Sequence, residues 1–282
     1  MPDRKCDDNA NFSIAELVSA LQQQYYAGID VALDDTPNQL PPARLATDNT
    51  ASLISEADGT GQPKAESEPA NRKHLGQSAT PLSSQIAGDL SSCDSLEALK
   101  QALAQFDGCA LKKTASNLVF ADGNQQADLM IIGEAPGGDE DRMGLPFVGA
   151  AGQLLDKMLL SIGLRRSDIY ITNILPWRPP GNRTPSTEEM QMLKPFLMRH
   201  IELKQPKIIL ALGGSSAKLL LETTTGIMKL RGTIKDITTP NGNKFTVLPS
   251  LHPAYLLRAP AMKKLSYQDL LKLKSLLSDD VK

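Results

Sequence analysis

The chain of 282 residues has few cysteines and no long apolar run, and each shortage excludes a class of protein. Its three cysteines, Cys6, Cys93 and Cys109, are too few and too widely spaced for a disulfide framework or a complete metal site. No segment approaches the roughly 18 consecutive apolar residues that a membrane helix needs. The N-terminus lacks the apolar core of a signal peptide, so we expect a cytoplasmic protein with no membrane association.

Charge is divided unevenly along the chain, although the formal net charge is only -2. Residues 1–94 hold 6 Lys and Arg against 14 Asp and Glu, whereas residues 95–282 hold 24 against 18. A mildly basic domain behind an acidic segment is typical of a nucleic-acid binder with an appendage. Chance variation is the alternative, because the basic excess is modest.

Three segments differ in their pattern. Residues 1–30 contain an amphipathic helix over 13–26, whose apolar face we expect to dock on the main domain or on another protein. Residues 31–94 are rich in Pro, Ser, Thr, Asn and Asp, which predicts a disordered linker. Residues 95–282 have the pattern of a globular domain.

Apolar runs alternate with amphipathic stretches in this domain. Strands are predicted at 128–133, 169–173, 207–212 and 245–249, and helices at 95–105, 150–162, 187–203, 214–222 and 262–278. A hairpin turn is expected at residues 240–243. The alternation predicts an α/β fold with a mostly parallel sheet that helices cover on both faces.

A glycine-rich loop, Ile-Gly-Glu-Ala-Pro-Gly-Gly-Asp-Glu-Asp at 132–141, connects a predicted strand to the next helix. It is neither a P-loop nor a dinucleotide-binding fingerprint, because its glycine and lysine spacing fits neither pattern. Ligands of α/β sheets bind at the carboxyl ends of strands, so Glu134 is a candidate for chemistry. The alternative is a loop that merely turns the chain.

Three further motifs end at the same predicted sheet edge. Gly-Leu-Pro-Phe-Val-Gly carries Phe147, Thr-Asn-Ile before Arg-Pro-Pro-Gly-Asn-Arg-Thr-Pro carries Asn173, and His-Pro-Ala-Tyr-Leu-Leu-Arg carries His252. A carboxylate, a ring, an amide and an imidazole gathered there would hold a flat polar heterocycle and cleave a bond to it.

Together the four motifs resemble family 4 of the uracil-DNA glycosylase superfamily, over about residues 103–277. The resemblance implies a three-layer α/β/α fold, with 95–282 as the catalytic domain of a monomeric enzyme that removes uracil from DNA. The nucleotide would be flipped out of the duplex and its N-glycosidic bond hydrolysed, which leaves an abasic site. The alternatives are a catalytically silent DNA binder and a glycosylase for deaminated purines or mismatched bases.

Each motif residue has a role in this interpretation. Glu134 would orient the attacking water and stabilise the cationic sugar, and His252 would donate to uracil O2 as charge develops there. Phe147 would stack on the base, and Asn173 would pair with N3–H and O4, a pattern that cytosine does not present. By resemblance alone, Glu140 borders the pocket near C5 of the base.

Several neighbouring residues are assigned to the DNA or left open. Arg178, Arg183, Arg258 and Lys263 are candidates for phosphate contacts. Leu256, with Leu257, would wedge into the gap left by the flipped base, or else pack the following helix. Asn182 matches a family position near the site, although it would equally cap its turn. We interpret Arg165 and Arg166 as a solvated helix end and His200 as a helix-surface residue.

The chain departs from the family in one respect. Family 4 members usually hold a [4Fe–4S] cluster through four cysteines, but only Cys109 matches a ligand position, while Phe106, Trp177 and Leu193 occupy the others. One thiolate cannot hold a cluster that needs about four ligands. We therefore expect no metal and no cofactor, and a hydrophobic plug in place of the cluster.

Overall fold

The computed structural model describes Leu90 and residues 92–278. The predicted N-terminal helix and almost the whole predicted linker therefore lie outside the described residues. The described part contains six strands: β1 (Ala121–Gly123), β2 (Leu129–Gly133), β3 (Ile169–Asn173), β4 (Ile208–Leu212), β5 (Lys235–Thr238) and β6 (Lys244–Ser250).

Eight helices accompany these strands in the described part of the chain. They are α1 (Leu96–Gln105), α2 (Gly138–Met143), α3 (Ala150–Leu160), α4 (Thr187–Lys204), α5 (Gly214–Leu221), α6 (Ile227–Leu230), α7 (Pro253–Arg258) and α8 (Lys263–Ser278). Four short 3₁₀ turns lie at Ala110–Lys113, Arg166–Asp168, Pro180–Asn182 and Pro260–Met262. Within this part, no helix combines the length and apolar content that a bilayer span requires.

The strands form one sheet in the order β1-β3-β2-β4-β6-β5. The four central strands are parallel, and β1 and β5 pair antiparallel at the two edges. The register places Gly133 of β2 opposite Asn173 of β3, each the last residue of its strand. The carboxyl ends of the central strands therefore meet at one edge of the sheet.

Both faces of the sheet are covered, because β2, β3 and β4 are buried along their whole length. Successive side chains of a strand point to opposite faces. Met130 and Ile132 pack in a cluster with α1, α4 and α5, which we call the α4-side cluster. Leu129 and Ile131 pack with α3, α7 and α8 in the α3-side cluster. The predicted three-layer α/β/α arrangement is confirmed.

The long elements match the prediction within about two residues, whereas β1, α2, α6 and α7 are absent from it. Each of these four is at most six residues long, too short for a hydrophobic period to be recognised. The hairpin is confirmed, since β5 and β6 flank the predicted turn.

The interpretation of His200 as a surface residue is wrong. It lies on the inner face of α4 and is 4% exposed. Its Nε2 lies 2.8 Å from the hydroxyl oxygen of Tyr170, and its ring stacks on Phe120 with centroids 4.5 Å apart. Burial, with a smaller contribution from Lys204, lowers the pKa of His200 from 6.5 to about 3.

This depressed pKa predicts acid sensitivity. The folded state disfavours protonated His200, so its contribution to stability is complete above pH 6.5 and is lost as the pH falls towards 3. Within that window, we expect His200 to remove about 1.4 kcal/mol of unfolding free energy per pH unit. His200→Gln keeps a polar partner for Tyr170 but does not titrate. In urea denaturation between pH 4 and 7, the unfolding free energy of this variant should therefore fall less steeply with decreasing pH than that of the wild type. Equal slopes for the two proteins would contradict the assignment.

Candidate active site

A cleft of about 480 Å³ opens where the parallel strands end. Its walls come from the loops that follow β2, β3 and β6 and from the start of α7. Most residues selected from the sequence line it, namely Glu134, Glu140, Phe147, Asn173, Asn182, Arg183, His252 and Arg258. Arg178, Leu256 and Lys263 are not among the lining residues.

Asn173 presents an unused hydrogen-bond acceptor to this cleft. The residue is 6% exposed, and its Oδ1 is buried with no hydrogen-bond partner among the described residues. Leaving such an atom unpaired costs about 1–3 kcal/mol, so unpaired buried groups are rare in folded proteins. A ligand that donates one hydrogen bond here would satisfy this atom.

Phe147 lies beside this amide in a strained conformation. Its φ of +54° falls in the left-handed region, which costs a bulky residue about 1–3 kcal/mol. Its ring is stacked against His252, with centroids 5.6 Å apart and planes inclined by 29°. A Cβ on Gly133 would lie 2.5 Å from Cζ of Phe147 and 2.4 Å from Oδ1 of Asn173. Only glycine at position 133 therefore lets the ring and the amide lie side by side.

His252 begins α7 and is a neutral donor. Its Nδ1 accepts a hydrogen bond of 3.2 Å from the backbone N–H of Ala254. Burial, assisted by Arg258 and opposed by Glu140, lowers the pKa of His252 from 6.5 to about 4. Because Nδ1 accepts, the neutral ring carries its proton on Nε2, which makes that atom the available donor at neutral pH.

Glu134 is held by a residue that the sequence analysis missed. The hydroxyl of Ser215, in the first turn of α5, donates to Oε2 of Glu134 over 2.6 Å. Among the described residues, Oε1 of Glu134 has no hydrogen-bond partner. Ser215 thus fixes one carboxylate oxygen and leaves the other for a ligand or water. The only sequence signal is the Gly-Gly-Ser-Ser that follows β4, which is equally typical of an ordinary helix start.

Glu140 uses both carboxylate oxygens to hold two loops together. Its Oε1 accepts from the backbone N–H groups of Val148 and Gly149, at 3.0 and 2.8 Å, and its Oε2 accepts from that of Gly137, at 3.0 Å. The side chain therefore organises the segment that follows Phe147. The predicted position near C5 of a base stays a prediction.

The basic residues differ in their contacts. Arg183 makes two hydrogen bonds to Glu189, at 2.6 and 2.9 Å. Arg178 donates from Nε to Oδ1 of Asn182 over 2.7 Å, which ties that amide into its own turn, as the alternative interpretation of Asn182 predicts. Lys263 is partly buried at the start of α8.

The assignment of Leu256 as a wedge is wrong in this structure. Its side chain is fully buried and belongs to the α3-side cluster, so it has the packing role that was the alternative. The next residue, Leu257, is 46% exposed. The exposed leucine of α7 is therefore Leu257.

The positions of the family's cluster ligands form a continuous apolar region. Cys109, Trp177 and Leu193 are at most 3% exposed and belong to the α4-side cluster, against which Phe106 packs. The rings of Phe106 and Phe196 lie 5.1 Å apart. Burial raises the pKa of the Cys109 thiol, which disfavours the thiolate that binds metal. Three of the four positions carry apolar side chains that cannot ligate iron, so these side chains do not fit an iron–sulfur cluster. Among the described residues, no three His, Cys, Asp or Glu form a group that could hold a metal ion.

Comparisons of the sequence with known proteins show its family. The family model described as Uracil DNA glycosylase superfamily matches residues 120–272. The type-4 uracil-DNA glycosylase of Archaeoglobus fulgidus is 42% identical over 61% of this chain and 87% of its own length. Those of Pyrobaculum aerophilum and Thermotoga maritima are 40% and 36% identical, and the matches cover 91% and 96% of their lengths.

The hydrogen bonds of Glu140 predict a large stability effect. Glu140→Gln removes the charge and one acceptor oxygen from three backbone N–H groups, and hydrogen bonds to charged groups contribute about 1.5–3 kcal/mol each. We expect the free energy of unfolding to fall by about 2 kcal/mol in urea denaturation. The matched control is Asp139→Asn, because Asp139 is exposed and pairs with the exposed Arg142. An equal, small change in both variants would contradict this role.

Proposed function

Because the chain belongs to family 4 of the uracil-DNA glycosylase superfamily, we propose that it is a monofunctional uracil-DNA glycosylase of base excision repair. It hydrolyses the N-glycosidic bond of deoxyuridine in DNA and leaves an abasic site. The observation that carries the proposal is the buried Oδ1 of Asn173, which has no hydrogen-bond partner among the described residues. Asn173 lines the same cleft as Glu134, Phe147 and His252.

Uracil is selected by the amide of Asn173. Its Oδ1 accepts the N3–H of uracil, and its NH2 group donates to O4. Cytosine has an acceptor at N3 and a donor at C4, so it would leave the buried amide oxygen unpaired. Sites built on such hydrogen bonds discriminate by about 10⁴-fold or more. Phe147 stacks on the flipped base, which contributes about 1–3 kcal/mol and offsets the cost of flipping.

Bond cleavage needs a stabilised sugar cation and a stabilised leaving group. Glu134, fixed through Oε2 by Ser215, orients the attacking water and balances the positive charge that develops on the sugar. Neutral His252 donates from Nε2 to uracil O2 as negative charge builds there. A fixed donor of this kind typically contributes about 2.7–4 kcal/mol.

The cleft rim provides the contacts to the DNA strand. Arg258 and Arg183 line the cleft, and residues 95–282 carry the basic excess of the chain. Such contacts give affinity that decreases with salt and do not select sequence. The predicted cytoplasmic location, the monomeric state and the docking of the N-terminal helix stay predictions.

The test of the proposal is strand cleavage at the abasic site. Oligonucleotides that carry U, U·G, T·G or hypoxanthine, single-stranded and duplex, are incubated with the protein and then treated with alkali. We expect cleavage at U. Glu134→Ala and His252→Ala should each slow single-turnover excision about 10²–10³-fold and leave binding of uracil-containing DNA nearly unchanged, because neither residue supplies the main phosphate contacts.

The control is Glu97→Ala, which removes an exposed carboxylate of α1 outside the cleft. It should excise uracil like the wild type. Cleavage only at T·G or hypoxanthine would show that the substrate is a mismatched base or a deaminated purine, and not uracil. Binding without cleavage at any base would favour the silent DNA binder.

We also propose that the protein works without an iron–sulfur cluster. At the three other ligand positions stand apolar side chains: Trp177 and Leu193 belong to the same α4-side cluster as Cys109, and Phe106 packs against it. Burying a large apolar side chain contributes about 1.5–3 kcal/mol, so three of them offer a substitute for the structural role of a metal group.

This proposal predicts a protein without stoichiometric iron. Preparations made anaerobically should contain far less than one cluster of iron and acid-labile sulfide per chain. Cys109→Ala should keep excision within about twofold of the wild type and change stability only as a small core substitution does. Stoichiometric iron that Cys109→Ala abolishes would overturn the proposal.

A further inference from the structure

Arg166 holds the loop of Phe147 through peptide groups that Glu140 does not bind. The interpretation of Arg166 as a solvated residue is wrong, since its side chain is only 25% exposed. Its Nη1 donates to the carbonyl of Phe147 over 3.0 Å, and its Nη2 donates to the carbonyl of Pro146 over 2.5 Å. The guanidinium thus binds the two peptide oxygens on either side of the strained residue.

The guanidinium is itself fixed in place by two carboxylates. Its Nε donates to Asp122 of β1 over 2.8 Å, and Nη1 also donates to Asp156 of α3 over 3.2 Å. The planar fork of arginine makes several such bonds in one rigid geometry, which a lysine ammonium cannot reproduce. Arg166 therefore connects the edge of the sheet, helix α3 and the Phe147 loop.

Every peptide group around Phe147 is constrained. Arg166 binds the carbonyls of residues 146 and 147, while Glu140 binds the N–H groups of residues 148 and 149. Helix α3 approaches the same carbonyl so closely that only glycine fits at position 152, because a Cβ on Gly152 would lie 1.8 Å from the oxygen of Phe147. A left-handed conformation in a bulky residue persists only where its surroundings impose it.

We infer that Arg166 is a positioning residue for base recognition, acting through the carbonyl of Phe147 to hold its ring against the base pocket. The inference rests on the proposed function, since it assigns the ring to stacking on uracil. Arg166, outside the cleft, thus sets the orientation of Phe147 inside it.

The test is a double-mutant cycle with a neighbouring control. Arg166→Gln removes the fork, whereas Arg165→Gln alters an exposed side chain next to it. We expect Arg166→Gln to lower kcat/KM for uracil excision about 10-fold and Arg165→Gln to leave it within about twofold. Because Arg166 acts through the ring, adding Arg166→Gln to Phe147→Ala should change the rate by less than about twofold.

Conservative replacement and folding measurements separate positioning from stability. Arg166→Lys keeps the charge and one donor, so it should recover part of the rate that Arg166→Gln loses, at temperatures where circular dichroism shows all variants folded. If Arg166→Gln does not fold, the cycle is run with Arg166→Lys.

Two outcomes would overturn the inference. One is that Arg166→Gln causes an equal loss in the wild type and in the Phe147→Ala variant, which is the result expected of a merely structural residue. The other is an Arg166→Gln variant as active as Arg165→Gln. An inactive wild type would instead overturn the proposed function, so the two failures are distinguishable.

Discussion

The close approach of two strand ends governs the whole site. Gly133 and Asn173 are paired in register as the last residues of β2 and β3. The missing side chain of Gly133 leaves the space that the Phe147 ring and the Asn173 amide occupy. Any Cβ at this position would push the ring or the amide out of the pocket, so the identity of one small residue sets the width of the base pocket. The remaining groups are arranged around that space.

Such a pocket lowers the stability of the fold, and contacts elsewhere in the domain offset this loss. An unpaired buried oxygen at Asn173 and a left-handed backbone at Phe147 are both unfavourable before a ligand binds. They persist because Glu140 and Arg166 hydrogen-bond four peptide groups around Phe147, and because both faces of the sheet are buried against helices. The hydrogen bonds that hold Glu134 and the Phe147 loop are already present without a ligand.

The sequence predicts what depends on long local patterns and misses what depends on packing. The central strands and the long helices have apolar periods that identify them. Glu134, Asn173 and His252 lie at or just after strand ends, where parallel topology brings them together, and the loop between α2 and α3 adds Phe147. The sequence does not show which residue is buried in two adjacent pairs, Leu256 with Leu257 and Arg165 with Arg166. Each pair carries the same chemistry, and only the phase of a short helix or turn decides which member is buried. Ser215 is missed for a related reason, since its partner Glu134 is 81 residues away in the chain.

The proposed stacking residue and the positions of the absent cluster ligands belong to different clusters of the core. Phe147 packs in the α3-side cluster, whereas Cys109, Trp177 and Leu193 belong to the α4-side cluster across the sheet. A metal cluster with its thiolate ligands and a group of apolar side chains can fill the same interior volume. Replacing a single ligand, however, does not convert one arrangement into the other. A single remaining cysteine gains no cluster bond by ionising. Burial raises the pKa of the Cys109 thiol, which favours its protonated form. Where several ligands are replaced by apolar residues, apolar packing is the favourable way to fill an interior volume, and none of Phe106, Trp177 and Leu193 lines the cleft.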